Sequence, residues 1–261
     1  MAVLAGLDVG SLLAKAVILD EAEGILAHSV RLVAGNFQTA ARDVLNAALD
    51  NCGLTAGTVA SLGTTGLGAG FVNGPSLRNT EISCQARGVH YLLPRAGSVI
   101  EIGDQSTRVI RLTGQGKVAD CVISDKCAMG SGRVLQVIAR VLRITLEEMG
   151  GLSQEATRPV SFSTGCSVFV ETEVISRIAE GAGVADIVGG LHRAMAVKIG
   201  GMADKARLEG DIAAAGGGAC DPGLVKMLEK VIGQKVLVVD RPLLTGAVGA
   251  ALMAAESRGR G

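Results

Sequence analysis

An acid, a glycine and a cation occur twice in this chain with the same internal spacing. Asp8, Gly10 and Lys15 are repeated 93 positions later by Glu101, Gly103 and Arg108, and Val17 and Leu19 fall on Ile110 and Leu112. In each copy a short apolar run (residues 3–8 and 99–103) leads into the glycine turn. Two further runs follow it, 14–19 and 25–32 in the first copy and 108–112 and 118–123 in the second. Short runs of Val, Ile and Leu bounded by Gly, Asp and Ser predict strands joined by tight turns. A hydrophobic hairpin alone has no reason to hold the acid and the cation in register around the glycine. The repeat therefore predicts an α/β protein with two duplicated lobes: residues 1–94 with a C-terminal helix 242–261, and residues 95–241.

The remaining segments fit that frame. Apolar residues at helical spacing predict helices over 39–52, 81–93, 134–144, 146–153, 168–181 and 223–232, with a last small-residue helix from Thr245. A longer helix is expected to be capped by Asp186 and to run through Ile187, Leu191, Met195 and Ile199. Brief strands are expected at 59–63, 160–163, 212–215 and 236–239.

Composition removes several function classes. With 261 residues and 48% hydrophobic content the chain can bury a sizeable core. Its formal net charge is zero and it has no Trp and a single Tyr. Neither a nucleic acid nor an acidic membrane surface is therefore an expected partner. No run is long enough to span a membrane and no export signal precedes Asp8. The six cysteines (52, 84, 121, 127, 166, 220) follow no compact disulfide spacing. Reduced thiols or metal ligands in a cytoplasmic protein are the expectation.

Three glycine turns follow strands: Asp8-Val-Gly10-Ser11, Glu101-Ile-Gly103-Asp104-Gln105 and Gly216-Gly217-Gly218. Exposed backbone N–H groups in such turns bind anions, and glycine admits a phosphate oxygen close to the chain. The acid ending each duplicated strand is suited to magnesium, usually through water. The chain has neither a G-x-x-x-x-G-K-[ST] loop nor a G-x-G-x-x-G after the first strand. Two cysteines sit alike where a small-residue turn meets a helical pattern, Cys127 before residues 134–144 and Cys166 before 168–181. The N–H groups and dipole of a helix start favour a thiolate. Two thiolates are too few to complete a metal or cluster site.

The order of turns resembles the superfamily of acetate and sugar kinases, heat-shock ATPases and actin. The segments Asp125-Lys-Cys-Ala-Met-Gly-Ser-Gly-Arg133, Ser167-Val-Phe-Val-Glu-Thr-Glu-Val-Ile-Ser176 and Gly246-Ala-Val-Gly-Ala-Ala251 are more particular. They resemble the BadF/BadG/BcrA/BcrD-type ATPases, which are activators of 2-hydroxyacyl-CoA dehydratases and ATPase subunits of benzoyl-CoA reductases. The resemblance implies two ribonuclease H-like, actin-like lobes with a nucleotide cleft between them. It further implies an ATP-driven donor of low-potential electrons to a partner iron–sulfur dehydratase or reductase. Two cysteines per subunit would hold one 4Fe-4S cluster in a homodimer, or in a pair with a paralogue, so Cys127 and Cys166 would be the ligands.

By motif, Asp8, Gly10, Ser11 and Lys15 would form the first phosphate loop, and Glu101, Gly103, Asp104 and Gln105 the second. Asp8, Glu101 and Gln105 would carry the hydrolytic chemistry on ATP with magnesium, and Gly216, Gly217 and Gly218 would meet the adenosine and ribose. The chain departs from the family's usual Asp-Ile-Gly-Gly-Gln-Asp at Glu101, Asp104 and Ser106, and from its Thr-Gly-Tyr-Gly-Arg at Leu67 and Ala69. An added carboxylate at Asp104 either repels phosphate or serves magnesium. Two rival readings stay open: a small-molecule kinase of the same superfamily, and a non-catalytic nucleotide-sensing subunit.

Overall fold

The computed structural model describes residues 2–124, 128–162 and 167–258. The chain divides into two compact units, one made of residues 1–94, 113–118 and 243–261 and the other of 95–112 and 119–242. Each is built on one five-stranded sheet.

In the first unit the strands are β1 (Val3–Val9), β2 (Leu13–Asp20), β3 (Gly24–Leu32), β4 (Val59–Thr65) and β5 (Leu77–Arg78), in the order β3-β2-β1-β4-β5. The second sheet holds β6 (Ala96–Ile102), β7 (Thr107–Leu112), β8 (Val118–Ile123), β9 (Asp211–Ala215) and β10 (Val236–Val238), in the order β10-β9-β6-β7-β8. Reading each outward from its first strand gives one topology. An antiparallel hairpin lies on one side (β1/β2, β6/β7) and two parallel strands lie on the other (β4 and β5, β9 and β10). The duplication therefore extends beyond the meander to all five strands. β5 has only two residues and gave no recognisable strand pattern.

The central strands are buried on both faces, which explains their unbroken apolar runs. In the first unit α1 (Phe37–Asp50) starts at Asn36, whose side chain accepts from Thr39 N, and packs Ala40, Ala41, Val44, Ala48 and Leu49 on the sheet. The other face is covered by α8 (Thr245–Arg258), against which α2 (Glu81–Leu92) packs. The small residues of α8 have a steric purpose. A Cβ added at Gly6 would run into the Ala247 carbonyl, and one at Gly63 into the Ala250 carbonyl. On the other side of α8, Gly88 meets the Thr245 carbonyl and Gly249 the Cys84 carbonyl with no room for a methyl group. Backbone thus rests on backbone on both sides of this helix.

The second unit gathers α3 (Gly132–Leu142), α4 (Leu146–Glu155), α5 (Ser167–Ala179), α6 (Val184–Ala206) and α7 (Pro222–Ile232) on its sheet. Leu135, Ile138, Met149, Val174, Leu191 and Met195 lie in one core with Ile100 and Ile102 of β6. Asp221 caps α7, accepting from Gly223 N and Leu224 N at 2.9 and 3.0 Å. Its other oxygen lies 3.1 Å from Nε2 of the fully buried His192, within ion-pair reach but off the line of a hydrogen bond.

Two sequence expectations change here. Residues 160–162 form no strand: Val160 N donates to the Asp186 carbonyl, and Arg177 and Arg193 donate to the carbonyls of Ser161 and Val160, so no neighbouring strand is needed. The last residue of that expected strand, Ser163, lies outside the described residues. Asp186 does not cap α6, which begins two residues earlier behind Gly183. The Asp186 carboxylate instead accepts from Arg158 N at 2.7 Å.

The close approach around α8 makes opposite predictions for two glycines. Gly249→Ala forces overpacking and is expected to cost about 1–3 kcal/mol. Gly151 sits in α4 with nothing within 4 Å of an added Cβ, so Gly151→Ala is expected to stabilise by up to about 1 kcal/mol. Thermal unfolding of the two variants against the parent checks both signs.

Candidate functional site

In the first unit the site is built around one carboxylate. Asp8 is buried near the end of β1, and the hairpin register places Lys15 directly across from it, with Nζ 3.0 Å from Oδ2. The turn between them is closed by Gly10 N donating to the Leu13 carbonyl at 3.0 Å. Two further glycines wall the carboxylate. Gly66, at φ +90°, would bring a Cβ to 2.8 Å from Oδ1, and Gly246 would bring one to 2.9 Å from Oδ2. Gly246 lies in the first turn of α8, where the helix dipole favours an anion. Next to it, Thr245 Oγ1 donates to Gln85 Oε1 of α2 at 2.5 Å.

The second unit repeats this plan. Gly103 N donates to the Ser106 carbonyl at 3.0 Å, and Arg108 Nη1 lies 2.8 Å from Glu101 Oε2. Glu101 is 4% exposed, where a charge has to be paired, and Arg108 is one such partner. The triple-glycine turn leaves β9 beside the end of β6. Gly216, at φ +81°, allows no Cβ because of the Ile102 carbonyl, and Gly218 allows none because of the Ile102 side chain. Gly66 and Gly68 stand in the same relation to Val9. The pair Gly66-Leu67-Gly68 and Gly216-Gly217-Gly218 is therefore a second duplicated feature. A Gly-x-Gly directly after a strand is its only sequence signal, and the long helical segment between β8 and β9 removes the constant offset that revealed the first.

Within the first unit, then, Asp8, Gly10 and Lys15 come together, with Ser11 in the same turn. Within the second, the end of β6 that carries Glu101 lies beside the turn of Gly216, Gly217 and Gly218 through Ile102, and leads into Gly103, Asp104 and the exposed Gln105. The Asp104 carboxylate turns toward α3, with Oδ2 3.1 Å from Arg133 Nη2 and Oδ1 2.9 Å from Gln136 Nε2. Gly66 and Gly246 were missed as site residues because they reach Asp8 only through packing, and Gln85 because it joins Thr245, next to Gly246, from a distant part of the chain.

Cys127 and Cys166 lie outside the described residues. Thr107, buried at the start of β7, holds both ends of the Cys127 segment. Its carbonyl accepts from Ser124 N at 2.9 Å, its N–H donates to Ser124 Oγ at 3.3 Å, and its Oγ1 donates to the Gly130 carbonyl at 2.6 Å. Before Cys166, Ser161 is held by Arg193 and Arg177; directly after it, α5 begins at Ser167. The other four cysteines are free thiols. Among the described residues no three His, Cys, Asp or Glu side chains are grouped to hold a metal.

Burial raises the Cys84 thiol to about 12; a Thr65 hydrogen bond opposes the rise, and the Asp8 and Glu81 charges add to it. Cys121 is raised by burial against the opposing Arg108 charge, and Cys220 by burial and by Asp221. Each of these shifts disfavours the thiolate that a metal ligand has to be. At pH 8 in the native state, Cys84 is expected to react with iodoacetamide about three orders of magnitude more slowly than an unperturbed thiol. Peptide mass mapping after timed alkylation checks this, and rapid labelling of native Cys84 contradicts it.

Comparison with known proteins agrees with this architecture. The family model described as the BadF/BadG/BcrA/BcrD ATPase family matches residues 5–254. The activator of lactoyl-CoA dehydratase from Anaerotignum propionicum is 38% identical, with 97% of each chain covered. The 2-hydroxyisocaproyl-CoA dehydratase activator from Clostridioides difficile is 35% identical, over 95% of this chain and 93% of that one. The solved structure of the activator of the 2-hydroxyisocaproyl-CoA dehydratase from Clostridium difficile, with bound ADPNP, superposes with a TM-score of 0.93. That match has 33% identity and covers 99% of this chain and 98% of that one. The duplicated sheets are thus those of the actin-like ATPase fold. Among the described residues no helix is long and apolar enough to cross a membrane. On the family match and these relatives, the chain belongs to the BadF/BadG/BcrA/BcrD ATPase family.

Proposed function

We propose that this protein is a cytoplasmic ATP-dependent donor of low-potential electrons to a partner iron–sulfur enzyme, a 2-hydroxyacyl-CoA dehydratase, a benzoyl-CoA reductase or a relative of these. The relatives are named as dehydratase activators, and one solved relative holds an ATP analogue. The observation carrying the reading is the placement of Thr107. It directly follows the second phosphate turn and hydrogen-bonds both flanks of the Cys127 segment. On this reading one residue links the phosphate turn to both flanks of the cluster-ligand segment, an arrangement a small-molecule kinase does not need.

Each residue then has a task. The backbone N–H groups of the turns 10–13 and 103–106, apart from those of Gly10 and Gly103 that close the turns, donate to phosphate oxygens, and the turn at Gly216, Gly217 and Gly218 meets the adenosine and ribose. Asp8 and Glu101 are held in place by Lys15 and Arg108, so each carboxylate is oriented before nucleotide arrives. Their charge suits magnesium held through water, and Glu101 with Gln105 would orient the attacking water. Lys15 and Arg108 offset the charge that the carboxylates add beside a polyphosphate. Cys127 and Cys166, two from each of two subunits, supply the four thiolates that a 4Fe-4S cluster takes. The chemistry of the donor set fits, because thiolates are the usual ligands of such a cluster and four of them match its count. When bound, such a cluster supplies one-electron transfer at low potential. The subunits would be two copies of this chain, or this chain and a paralogue.

Anaerobically purified protein should contain ~2 iron atoms per chain, one cluster per pair of chains. Cys127→Ala or Cys166→Ala should abolish the visible absorption and weaken the dimer, whereas Cys52→Ala should leave both intact. A colourless, iron-free protein that phosphorylates a metabolite would favour the kinase reading. ATP turnover should fall at least about a hundredfold in Asp8→Asn. Parent protein without turnover would identify a nucleotide sensor instead.

A further inference from the structure

Asp104 stands where the family's phosphate turn usually has a second glycine, and its side chain is held by α3. Both carboxylate oxygens are engaged from α3, by the guanidinium of Arg133 and the amide of Gln136. These two residues are three apart on the helix and so project from one face. The Arg133 contact is a charge-assisted hydrogen bond, among the stronger polar contacts a side chain makes. It also cancels the negative charge that Asp104 brings to the turn.

The backbone reinforces this link. A helix start leaves N–H groups without partners inside the helix, and a capping side chain usually takes one. The N-cap of α3 is Ser131, which forms no side-chain cap bond. Instead Gly132 N donates to the Gly103 carbonyl at 2.8 Å and Arg133 N to the Asp104 carbonyl at 2.9 Å. The phosphate turn itself caps α3. The chain entering α3 is the segment that follows Cys127, with Gly130 tied to Thr107. When a turn's N–H groups reorient onto a phosphate, its carbonyls reorient with them. Here those carbonyls are the ones that hold α3.

We propose that Asp104 is a positioning residue that latches α3 to the second phosphate turn, so that nucleotide binding at the turn is felt at the helix leading out of the Cys127 segment. The latch rests on the reading of residues 103–106 as a phosphate turn and goes beyond it by naming the side chain that transmits the change. Arg133 and Gln136 are its two contacts on α3.

Hydrogen–deuterium exchange of the full-length, anaerobically purified protein tests this, with and without magnesium and a non-hydrolysable ATP analogue. In the parent, the analogue should slow exchange over residues 103–107 and also over 130–136, the latter at least about fivefold. In Asp104→Ala the slowing over 103–107 should persist, showing a folded and competent turn, while that over 130–136 falls below about twofold. Asp104→Asn keeps an oxygen acceptor for Arg133 or Gln136 and should restore the α3 response. Undiminished slowing of 130–136 in Asp104→Ala overturns the latch. Loss of both responses in that variant, with Asp104→Asn equally defective, also overturns it, because the carboxylate would then serve the nucleotide directly. Absence of any slowing over 103–107 in the parent would instead overturn the nucleotide reading, and the latch with it.

Discussion

A carboxylate at the buried end of a central strand has to be neutralised where it stands. Water cannot solvate it fully, and leaving one partner of a buried pair alone costs roughly 3–5 kcal/mol. Both units solve this in the same way. The strand that follows the glycine turn returns antiparallel and brings a cation opposite the acid, Lys15 to Asp8 and Arg108 to Glu101. The register of each hairpin therefore also sets which cation faces the acid at its turn. A one-residue slip would move the cation to the other face of the sheet. Because the pair is made between residues seven apart in sequence, it is a local device. This is why it kept its spacing through the duplication.

Around that device the two units have diverged. In the first, the slot for Asp8 is completed by Gly66 and by the start of α8, which lies close on the sheet because Gly6 and Gly63 have no side chains, and close on α2 because Gly88 and Gly249 have none. Tight backbone packing there delivers the positive end of a helix dipole to the carboxylate. In the second, the corresponding turn is engaged on another side. Gly103 and Asp104 cap α3, and Thr107 closes the segment containing Cys127. One copy of the ancestral unit has been shaped around a carboxylate slot, and the other around an attachment to the cysteine-bearing part of the chain.

Much of the architecture was legible. Strand and helix positions followed from apolar periodicity, since buried central strands read as unbroken apolar runs and α1, α3 and α7 show one-sided stripes. The failures share a cause. Residues 160–162 have strand-like composition, yet their backbone groups bond to α6 and to two arginines, which no local pattern announces. Asp186 has the composition of a cap, yet Arg158 N claims its carboxylate. The short β5 adds only two residues to its sheet and has no period to detect.

The sequence by itself determined the duplicated acid–glycine–cation meander and the small-residue last helix, and it singled out Cys127 and Cys166 among six cysteines. Each of these is written in residues close together along the chain, where strand alternation and turn chemistry act. Only the tertiary structure decided that Gly66 and Gly246 form the walls around Asp8, that Gly66-Leu67-Gly68 repeats Gly216-Gly217-Gly218, and that Asp104 belongs to α3. Asp104 and Arg133 are 29 residues apart, and Gly246 reaches Asp8 from the far end of the chain. Contacts of that kind depend on how closely two distant backbones approach, a quantity that the packing of the whole unit sets and that no spacing within one segment records.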